Sequence, residues 1–594
     1  MVESTTPTRR ELIKPSKFDP TTGTIEIAGR KIRVGGPLPK PKEGEKLIRY
    51  TQSICPYCYA LLPAIIVERE SKVYIRKICP EHGEIEELYS GDSEIFRRFE
   101  KWHVEGLGPR HVYSDLTAPC PYSCGLCPLH KTHTALANLV VTNRCDLDCW
   151  YCFFYAEKSG FVYEPTIEQI KFMVNELRKQ GVTMAIQLTG GEPTVRDDLI
   201  DIVKLLKSMG VRHLQLNTHG IKFARLYLEN PEKAIKYAKE LRQSGVNTVY
   251  LSFDGVSPKA NPKNHWEIPF IFEVFRKAGM TSVVLVPTLI KSINDQEIGE
   301  MIKFAALNMD IVRAINFQPV SLTGMMKRRE REKYRITIAD TIKKIEEQTD
   351  GQISRDAWFP VPASVPISEF AAALAGRFKF EMPNHPQCGA ATYVYVKREG
   401  DDVSYIPINE FIDIEGFLNY LLEKAEEIKE GKTRYLIGAK LLINLIRKFI
   451  KWDKVPGDLK ASLPRILYNI FTKQSYEALA VWHYKFLFIG MMHFMDLYNY
   501  DVERVMRCNI HYLLPDGRII PFCTFNVLND VYRDYVQKRY MIPLDEWAKI
   551  KGPHTIGEAM KYRRSRELIK KMVTHELYRK TYKYWIGKLF DISY

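Results

Sequence analysis

Short apolar runs alternate with amphipathic stretches between residues 137 and 325 of this 594-residue chain. The stretches Thr166–Lys179 and Pro231–Ser244, for example, place apolar residues at helical spacing and predict helices. Parallel strands need crossover connections of this kind, so the alternation predicts a series of βα units. The apolar runs predict six strands: Leu139–Thr142, Met184–Leu188, His213–Asn217, Thr248–Phe253, Ser282–Thr288 and Ala314–Pro319.

The segments on either side of this series differ from it in composition. Apolar residues at Val67 and Val73 predict a hairpin before the series, and helix formers and aromatic residues dominate after it. Two strand-like stretches, Thr392–Val396 and Ile519–Pro521, interrupt the helical part. The pattern predicts four parts: an irregular segment (1–45), a small β module (46–117), the βα region (118–325) and a largely helical accessory domain (326–594).

Two stretches of the last part are lipophilic and predict helices. Leu436–Trp452 is amphipathic, and Ala478–Met495 is nearly all apolar but contains His483, Lys485 and His493. A charge near the centre of a membrane span costs about 3 kcal/mol, so the second stretch is not expected to cross a bilayer. Two interpretations stay open, namely core helices, or an interfacial helix together with the wall of an apolar substrate channel.

Composition narrows the class of protein. Apolar residues make up 45% and aromatic residues 12%, which is enough for large cores, and the net charge is +15. The basic stretch from Lys561 to Lys588 could serve anionic headgroups or nucleic acid, although nucleic acid is the less favoured partner. The 12 cysteines lie in close clusters and Met1–Lys17 lacks an apolar signal region, so we expect a reducing, cytoplasmic setting and no disulfide framework.

The most informative motif is a cysteine loop directly after the first predicted strand. Cys145, Cys149 and Cys152 have the spacing C-x3-C-x2-C, with the aromatic Tyr151 before the last cysteine. Three thiolates on one short loop can hold three irons of a [4Fe–4S] cube and leave the fourth iron open to a ligand. A zinc knuckle or a set of buried thiols is the alternative.

A second motif follows the next predicted strand. Gly190, Gly191, Glu192 and Pro193 combine two residues that permit close backbone approach with an anionic acceptor. Such a segment could also be a simple turn, but it follows the cysteine loop at the end of the neighbouring strand. Polar residues at the ends of the later strands are candidates for the same pocket, or else cap the next helix: Asn217, Thr218, Ser252, Asp254, Thr288 and Gln318.

The remaining cysteines predict further metal sites. Cys55, Cys58, Cys79 and His82 have the separation of a zinc ribbon or rubredoxin-like site, so 46–117 is predicted to bind a single zinc or iron ion. Cys120, Cys124 and Cys127 repeat the C-x3-C-x2-C spacing and predict an auxiliary [4Fe–4S] cluster, with a second cofactor site or a zinc site as alternatives. Cys388, Cys508 and Cys523 could hold a third cluster, complete the second, or be inert buried thiols.

The cysteine loop and the Gly-Gly-Glu-Pro segment together resemble radical S-adenosylmethionine (SAM) enzymes. The resemblance implies a partial (β/α)6 barrel for 118–325, with the auxiliary-cluster loop at its start. It also implies that the open iron chelates SAM and that Gly190–Pro193 contacts its amino group. The cofactor-binding candidates are then Tyr151, Gly190, Gly191, Glu192, Pro193, Asn217, Ser252, Asp254 and Gln318.

Four longer stretches resemble the archaeal radical SAM group that contains tetraether lipid synthase: Cys120–Thr134, Thr142–Phe153, His385–Cys388 and Cys508–Cys523. That resemblance implies that SAM-derived radicals abstract hydrogen from the terminal methyl groups of two phytanyl chains and that the two carbons are then coupled. It further implies an ether phospholipid substrate, peripheral contact with the membrane surface and an electron donor that the sequence does not identify.

Three alternatives stay open at this point. A radical SAM methyltransferase acting on a pterin or similar heterocycle predicts a small polar pocket in place of a long apolar one. An iron–sulfur electron carrier or scaffold predicts that SAM is not cleaved. An RNA-modifying radical SAM enzyme predicts nucleic-acid binding that weakens steeply with salt.

Overall fold

A computed structural model describes residues 16–592 of the chain, except 183, 327, 401, 433–440, 442 and 474–481. Six parallel strands form its centre, and neighbours in the chain are neighbours in the sheet. Leu188, for example, lies opposite Leu139 on one side and Leu216 on the other. The strands are Leu136–Thr142, Ala185–Gly190, His213–Thr218, Thr248–Ser252, Val283–Val286 and Val312–Pro319. The predicted partial barrel of six βα units is confirmed.

Amphipathic helices cover the outer face of these strands. The first begins with a capping box in which Thr166 and Gln169 satisfy each other's backbone N–H groups, and it buries Ile170, Val174 and Leu177 against the sheet. Each such side chain contributes about 1.5–3 kcal/mol when it is fully buried. The covering helices are Ile167–Arg178, Leu199–Ser208, Ile221–Glu229, Pro231–Ser244, Ile268–Ala278 and Ile298–Leu307.

The C-terminal part of the chain extends the sheet at both edges. Phe486–Met492 pairs in parallel with Val312–Pro319, and Ile510–Leu513 pairs in parallel with Leu136–Thr142. Along its main path the sheet therefore has eight parallel strands within the described residues, and Gly389–Glu399 pairs antiparallel with Phe486–Met492. One sheet thus spans the boundary that the sequence predicts at residue 325.

The prediction of a helix over Ala478–Met495 is wrong for most of its described part, because Phe486–Met492 is a strand and only Trp482 and His483 are helical there. An apolar run of this length suits a buried helix or a buried strand equally, and here hydrogen bonds to two neighbouring strands decide. Residues 478–481, and 436–440 with 442 of the other lipophilic stretch, lie outside the described residues. The end of that stretch, Leu445–Phe449, is a short π-helical turn with Leu445 buried.

Two small antiparallel sheets precede the barrel. Three strands, Lys17–Asp19, Thr24–Ile27 and Arg30–Arg33, lie in the segment expected to be irregular. The second sheet confirms the predicted hairpin, since Leu61–Arg69 pairs with Lys72–Cys79. Its other members are the strands Lys46–Ile54 and Gly83–Ser90, and the helix Ser93–Glu100 follows it.

The other described elements are mostly helical, as predicted for the C-terminal part. The helices are Arg331–Tyr334, Ile338–Gln348, Val365–Ala375, Ile408–Phe411, Ile414–Lys429, Gly457–Lys460, Leu463–Lys473, Val502–Met506, Phe522–Val527, Arg533–Gln537, Leu544–Lys551, Gly557–Met560, Arg566–Thr574 and Glu576–Tyr582. The strands are Phe161–Val162, Thr288–Leu289, Phe359–Pro360, Asp402–Pro407, Ile519–Pro521 and Ile542–Pro543. Nowhere in the described ranges does a helix combine the length and apolarity needed to cross a bilayer.

A buried carboxylate fastens the four-stranded sheet to the C-terminal part. Asp501 is fully buried and accepts hydrogen bonds from Arg49 Nη2 at 2.6 Å, Thr51 Oγ1 at 2.6 Å and Tyr89 OH at 2.7 Å. Burial alone would raise the pKa of Asp501, but the charge of Arg49 holds it below its ordinary value. The carboxylate is therefore ionised and shared by both parts.

Replacing Asp501 with alanine is expected to lower the free energy of unfolding by about 3–5 kcal/mol, because it leaves the Arg49 guanidinium uncompensated in a buried site. Anaerobic denaturant unfolding measures the change. Asp310→Ala is the control, since its ion pair with Arg276 is exposed and is expected to contribute less than about 1 kcal/mol. Equal losses in the two variants would contradict a fastening role for Asp501.

Candidate functional site

A cavity of about 230 Å³ opens at the carboxyl ends of the barrel strands. In parallel barrels this is the end where chemistry takes place. The sequence-predicted residues that the structure brings together around it are Cys145, Cys149, Tyr151, Cys152, Gly190, Gly191, Glu192, Asn217, Thr218, Ser252, Thr288 and Gln318. Pro193 and Asp254 are buried beside this group but do not line the cavity.

The two glycines let the second strand end close against the cysteine loop. A Cβ at Gly190 would lie 2.0 Å from the carbonyl oxygen of Thr142, and one at Gly191 would lie 2.1 Å from that of Arg144. Their place is fixed by hydrogen bonds of 2.8 Å from Gly191 N to Thr142 O and from Glu192 N to Arg144 O. Only residues without a side chain fit between these backbones.

Hydrogen bonds link Glu192, which follows the strand Ala185–Gly190, to the ends of the two neighbouring barrel strands. Its carboxylate accepts hydrogen bonds from Thr218 Oγ1 at 2.7 Å and from the His219 backbone N–H at 2.9 Å. The His219 ring in turn contacts Asp146 Oδ1, at 2.8 Å from its Nε2. Burial would lower the pKa of His219, but Glu192 and Asp146 outweigh it and raise the pKa. The cysteine loop is thus coupled to the acid of the glycine segment.

Asp254 acts through its neighbours. It accepts a hydrogen bond from the Tyr151 hydroxyl and forms an ion pair with Lys263, whose Nζ lies 2.8 Å from Asp254 Oδ2. Lys263 lines the cavity, and its Nζ is 5.2 Å from the centre of the Tyr151 ring. Sequence reasoning missed Lys263 because no motif surrounds it. It missed His219 as well, although that residue directly follows the predicted strand end.

The three thiols of the loop suit a metal group better than free cysteine. Burial raises the pKa of Cys145, Cys149 and Cys152, to about 11 for Cys149. A buried thiol keeps its proton unless a cation takes its place, and soft sulfur donors favour iron–sulfur clusters. Together with the glycine approach beside them, this donor set fits a cluster with a ligand bound next to it.

Carboxamides and hydroxyl groups share the polar lining away from the cysteines. Gln187 Nε2 donates to Asn138 Oδ1 at 3.1 Å, and Asn316 and Gln318 lie on a more distant barrel strand. Asn138 was missed because it sits inside an apolar strand, where a polar side chain is itself the signal. Each amide offers both donors and an acceptor, so this wall can read the edge of a polar heterocycle.

The N-terminal cysteines form a compact four-atom site. Cys58 Sγ lies 3.7 Å from Cys79 Sγ, and His82 Nδ1 lies 3.4 Å from Cys79 Sγ and 3.6 Å from Cys55 Sγ. All four ligand atoms lie within 4.8 Å of one another. A tetrahedral ion with metal–sulfur bonds of about 2.3 Å places its sulfur ligands about 3.8 Å apart, so the spacing fits a single bound ion.

Cys58→Ala is expected to release about one metal ion per chain, because three ligands bind a structural ion far more weakly than four. Elemental analysis of anaerobically purified protein measures the loss and distinguishes zinc from iron. Glu81→Ala changes an exposed residue between Cys79 and His82 and should keep the ion. Unchanged metal content in the Cys58 variant would contradict the site.

The other six cysteines do not line the cavity, and they form two sets. Hydrogen bonding to Cys124 and burial raise the pKa of the Cys120 thiol, with a smaller contribution from Cys127, so these three are neighbours. Cys388, Cys508 and Cys523 are far apart in sequence, but two of them contact one short segment, since His493 N donates to Cys388 O at 3.0 Å and Met495 N donates toward Cys523 Sγ at 3.4 Å. After burial, the charges of Cys523 and Cys388 contribute to the raised pKa of Cys508.

The sets meet at the helix Phe522–Val527. Cys124 Sγ is 3.8 Å from the Thr524 hydroxyl, and Thr524 follows Cys523 in the chain. Phe522, on the other side of Cys523, lines the cavity. Both sets therefore approach the cavity through one short helix.

Comparison with known proteins agrees with this geometry. The family model described as "Radical SAM superfamily" matches residues 139–305, and the "HMPTM N-terminal zinc ribbon domain" matches residues 47–91. The 7,8-dihydro-6-hydroxymethylpterin dimethyltransferase of Methanocaldococcus jannaschii is 46% identical over 514 residues, which are 85% of this chain and 98% of that protein. The chain belongs to the 7,8-dihydro-6-hydroxymethylpterin dimethyltransferase family.

As a member of this dimethyltransferase family, the protein is a radical SAM enzyme. Its cofactors are a [4Fe–4S] cluster and SAM, and the N-terminal ribbon with its Cys55, Cys58, Cys79 and His82 group provides an auxiliary metal site. The predicted fold class and cofactors are confirmed.

More distant relatives match a smaller part of the chain. A probable GTP 3',8-cyclase of M. jannaschii is 27% identical over 37% of this chain and 68% of its own length. The crystal structure of Streptococcus suis SuiB bound to precursor peptide SuiA is 15% identical, covers 37% of this chain and 46% of that one, and has a TM-score of 0.28.

The predicted resemblance to the group that contains tetraether lipid synthase is wrong, because the match over nearly the whole chain is to the pterin dimethyltransferase family. The same finding overturns the predicted coupling of phytanyl chains, the ether phospholipid substrate and the membrane surface as a partner. The four stretches behind that prediction are recognised mainly by their cysteines, which are expected to bind cofactors and do not report the substrate. The apolar stretch taken for a lipid channel contains a buried barrel strand.

Proposed function

We propose that the protein is a radical SAM methyltransferase that acts on 7,8-dihydro-6-hydroxymethylpterin. The observation that carries this proposal is 46% identity to a dimethyltransferase of that name, over 98% of its length. So long an alignment includes the C-terminal strands as well as the cofactor-binding barrel.

The chemistry of the cavity lining supports a heterocyclic substrate. The amides of Asn138, Gln187 and Gln318 line the cavity. The aromatic rings of Tyr512 and Phe522 also line it, and Tyr512 is the strand partner of Asn138. A flat bicyclic heterocycle needs both features, namely polar partners along its edges and an aromatic surface against its face.

Under this proposal Cys145, Cys149 and Cys152 hold the [4Fe–4S] cluster that binds SAM. When bound, the cluster supplies the electron for reductive cleavage of SAM. Gly190 and Gly191 hold their segment close against the cysteine loop and line the cavity where the methionyl part is expected to bind. The proposed pocket residues are Tyr151, Glu192, Pro193, Asn217, Ser252, Asp254 and Gln318, of which Pro193 and Asp254 act from behind the lining.

The protein's own side chains then hold charge and exclude water. Glu192 presents a carboxylate near the position expected for the SAM amino group, and Lys263 presents an ammonium group beside Cys149. Asp254 orients both Lys263 and Tyr151 through the contacts described above. The auxiliary clusters are assigned to Cys120, Cys124 and Cys127, and to Cys388, Cys508 and Cys523.

Anaerobic incubation with SAM, dithionite and 7,8-dihydro-6-hydroxymethylpterin tests the proposal. Mass spectrometry is expected to show 5'-deoxyadenosine together with pterin products heavier by one and two methyl groups. SAM labelled in its methyl group shows whether that carbon enters the product. Formation of 5'-deoxyadenosine without any methylated pterin would contradict the substrate, and failure to cleave SAM would contradict the enzyme class.

A further inference from the structure

One buried arginine lacks the partner that its counterparts have. Among the described residues, seven arginines are almost completely removed from solvent: Arg76, Arg144, Arg196, Arg335, Arg504, Arg507 and Arg533. Six of these form ion pairs with carboxylates. Arg504, which is 2% exposed, forms none with any described residue. An uncompensated buried charge is strongly unfavourable, so another anion must balance it.

Arg504 contacts sulfur atoms where the other six buried arginines contact carboxylates. Arg504 Nε donates toward Cys388 Sγ at 3.4 Å, while its Nη2 donates to the backbone oxygen of His493 at 2.7 Å. Cys523 is the second sulfur close to this guanidinium. On its other side lies the Tyr89 ring, whose centre is 5.6 Å from the guanidinium carbon.

Neutral thiols could not balance this charge. A cysteine buried in apolar surroundings keeps its proton, whereas a metal-bound cysteine is a thiolate. A cluster held by thiolates carries net negative charge, and its reduction potential depends on that charge and on hydrogen bonds to the sulfur atoms. A buried cation with no carboxylate of its own stabilises the more negative, reduced form.

We propose that Arg504 is the counter-ion of an iron–sulfur cluster held by Cys388, Cys508 and Cys523, and that it raises the reduction potential of this cluster above that of the SAM-binding cluster. The inference rests on the iron–sulfur assignment made under the proposed function. In this proposal Arg504 is a positioning and charge-balancing residue. When the protein is reduced stepwise, this cluster accepts an electron before the SAM-binding cluster does.

The surroundings of the other two cysteine sets are different. Near Cys149, Lys263 is already neutralised by Asp254 at 2.8 Å, and Asp146 and Glu192 add negative charge near Cys145. Near Cys124, Arg518 is neutralised by Asp516 at 3.0 Å. Of the three sets, the one beside Arg504 therefore has the largest uncompensated positive charge.

Potentiometric titration of the anaerobically purified full chain, followed by electron paramagnetic resonance, tests the proposal. Addition of SAM identifies the signal of the SAM-binding cluster. Arg504→Gln should change the ratio of reduced to oxidised protein at one auxiliary cluster at least tenfold toward the oxidised form, which is about 59 mV for a one-electron couple. Arg504→Lys keeps the charge and should keep the potential. Arg518→Gln, the matched control beside Cys124, should leave the potential of the cluster at Cys388, Cys508 and Cys523 unchanged.

The outcomes distinguish a failure of the proposed role of Arg504 from a failure of the iron–sulfur assignment on which it rests. If the Gln variant retains the potential of every cluster, or if the Lys variant shifts as far as the Gln variant, Arg504 is not the counter-ion. If the Gln variant loses its cluster, the Lys variant decides: a retained cluster with unchanged potential supports the proposal, and its loss overturns it. If Cys388→Ala removes no iron, the assignment of a cluster to Cys388, Cys508 and Cys523 fails. The proposed methyltransferase function is tested separately, by the detection of methylated pterin.

Discussion

Cys149→Ala is expected to abolish SAM cleavage, lowering the rate of 5'-deoxyadenosine formation by at least about 10³-fold, which corresponds to about 4 kcal/mol of barrier. Cys149 lies between the other two cysteines of the loop and lines the cavity with them. Two thiols cannot hold three irons of a cube, so the variant should lack the cluster that delivers the electron. We expect iron and sulfide content to fall by one cluster per chain in the same preparation.

The matched control for this variant is Asp148→Ala. Asp148 is the preceding residue of the same loop, but its side chain points outward and pairs with Lys158. The Asp148→Ala variant should retain wild-type iron content and SAM cleavage, because only an exposed ion pair is lost. Normal SAM cleavage by the Cys149 variant would show that the reactive cluster is held elsewhere.

Gly191→Ala is expected to reduce SAM cleavage by about 10²-fold or more while the iron of the loop is retained. The added methyl group would lie 2.1 Å from the carbonyl oxygen of Arg144, and a backbone atom cannot yield as a flexible side chain does. The glycine segment must therefore move away from the cysteine loop, taking Glu192 with it. Displacement of about 1 Å in an active site can cost a factor of this size.

Equilibrium binding of SAM, measured beside the cleavage rate, shows whether the loss of activity in the Gly191 variant comes from binding. Gly457→Ala is the control, since a Cβ there meets no atom within 4 Å and the residue begins a short helix. Alanine favours a helix over glycine, so this variant should be neutral or slightly more stable. Wild-type SAM affinity and cleavage in Gly191→Ala would show that close approach at this point is not required.

Much of the barrel could be predicted from the sequence because its signals are local. Each predicted strand is a short apolar run, and both cofactor motifs begin where such a run ends. A cysteine spacing reports a loop that can surround a cluster without any knowledge of the rest of the chain. The structure places the predicted Cys145 loop and the Gly190–Gly191 segment together at one cavity.

The features that the sequence did not predict depend on contacts between distant parts of the chain. Phe486–Met492 is apolar because strands flank it on both sides, and composition alone does not separate such a strand from a helix facing lipid. Neither Lys263 nor the convergence of Cys388 with Cys508 and Cys523 has a local signal. The substrate was predicted wrongly for a related reason, since the recognisable motifs bind cofactors that many enzymes share.

The late position of the strands Phe486–Met492 and Ile510–Leu513 in the chain has a consequence for how the protein is made. The cysteine loop at 145–152 leaves the ribosome more than 300 residues before Phe486–Met492 and Ile510–Leu513 are synthesised. Until then the nascent barrel lacks Met492, Phe494, Tyr512 and Phe522, which wall its cavity in the finished protein. We therefore expect the three thiols to be accessible to the cellular machinery that delivers iron and sulfide until the last segment completes the cavity wall.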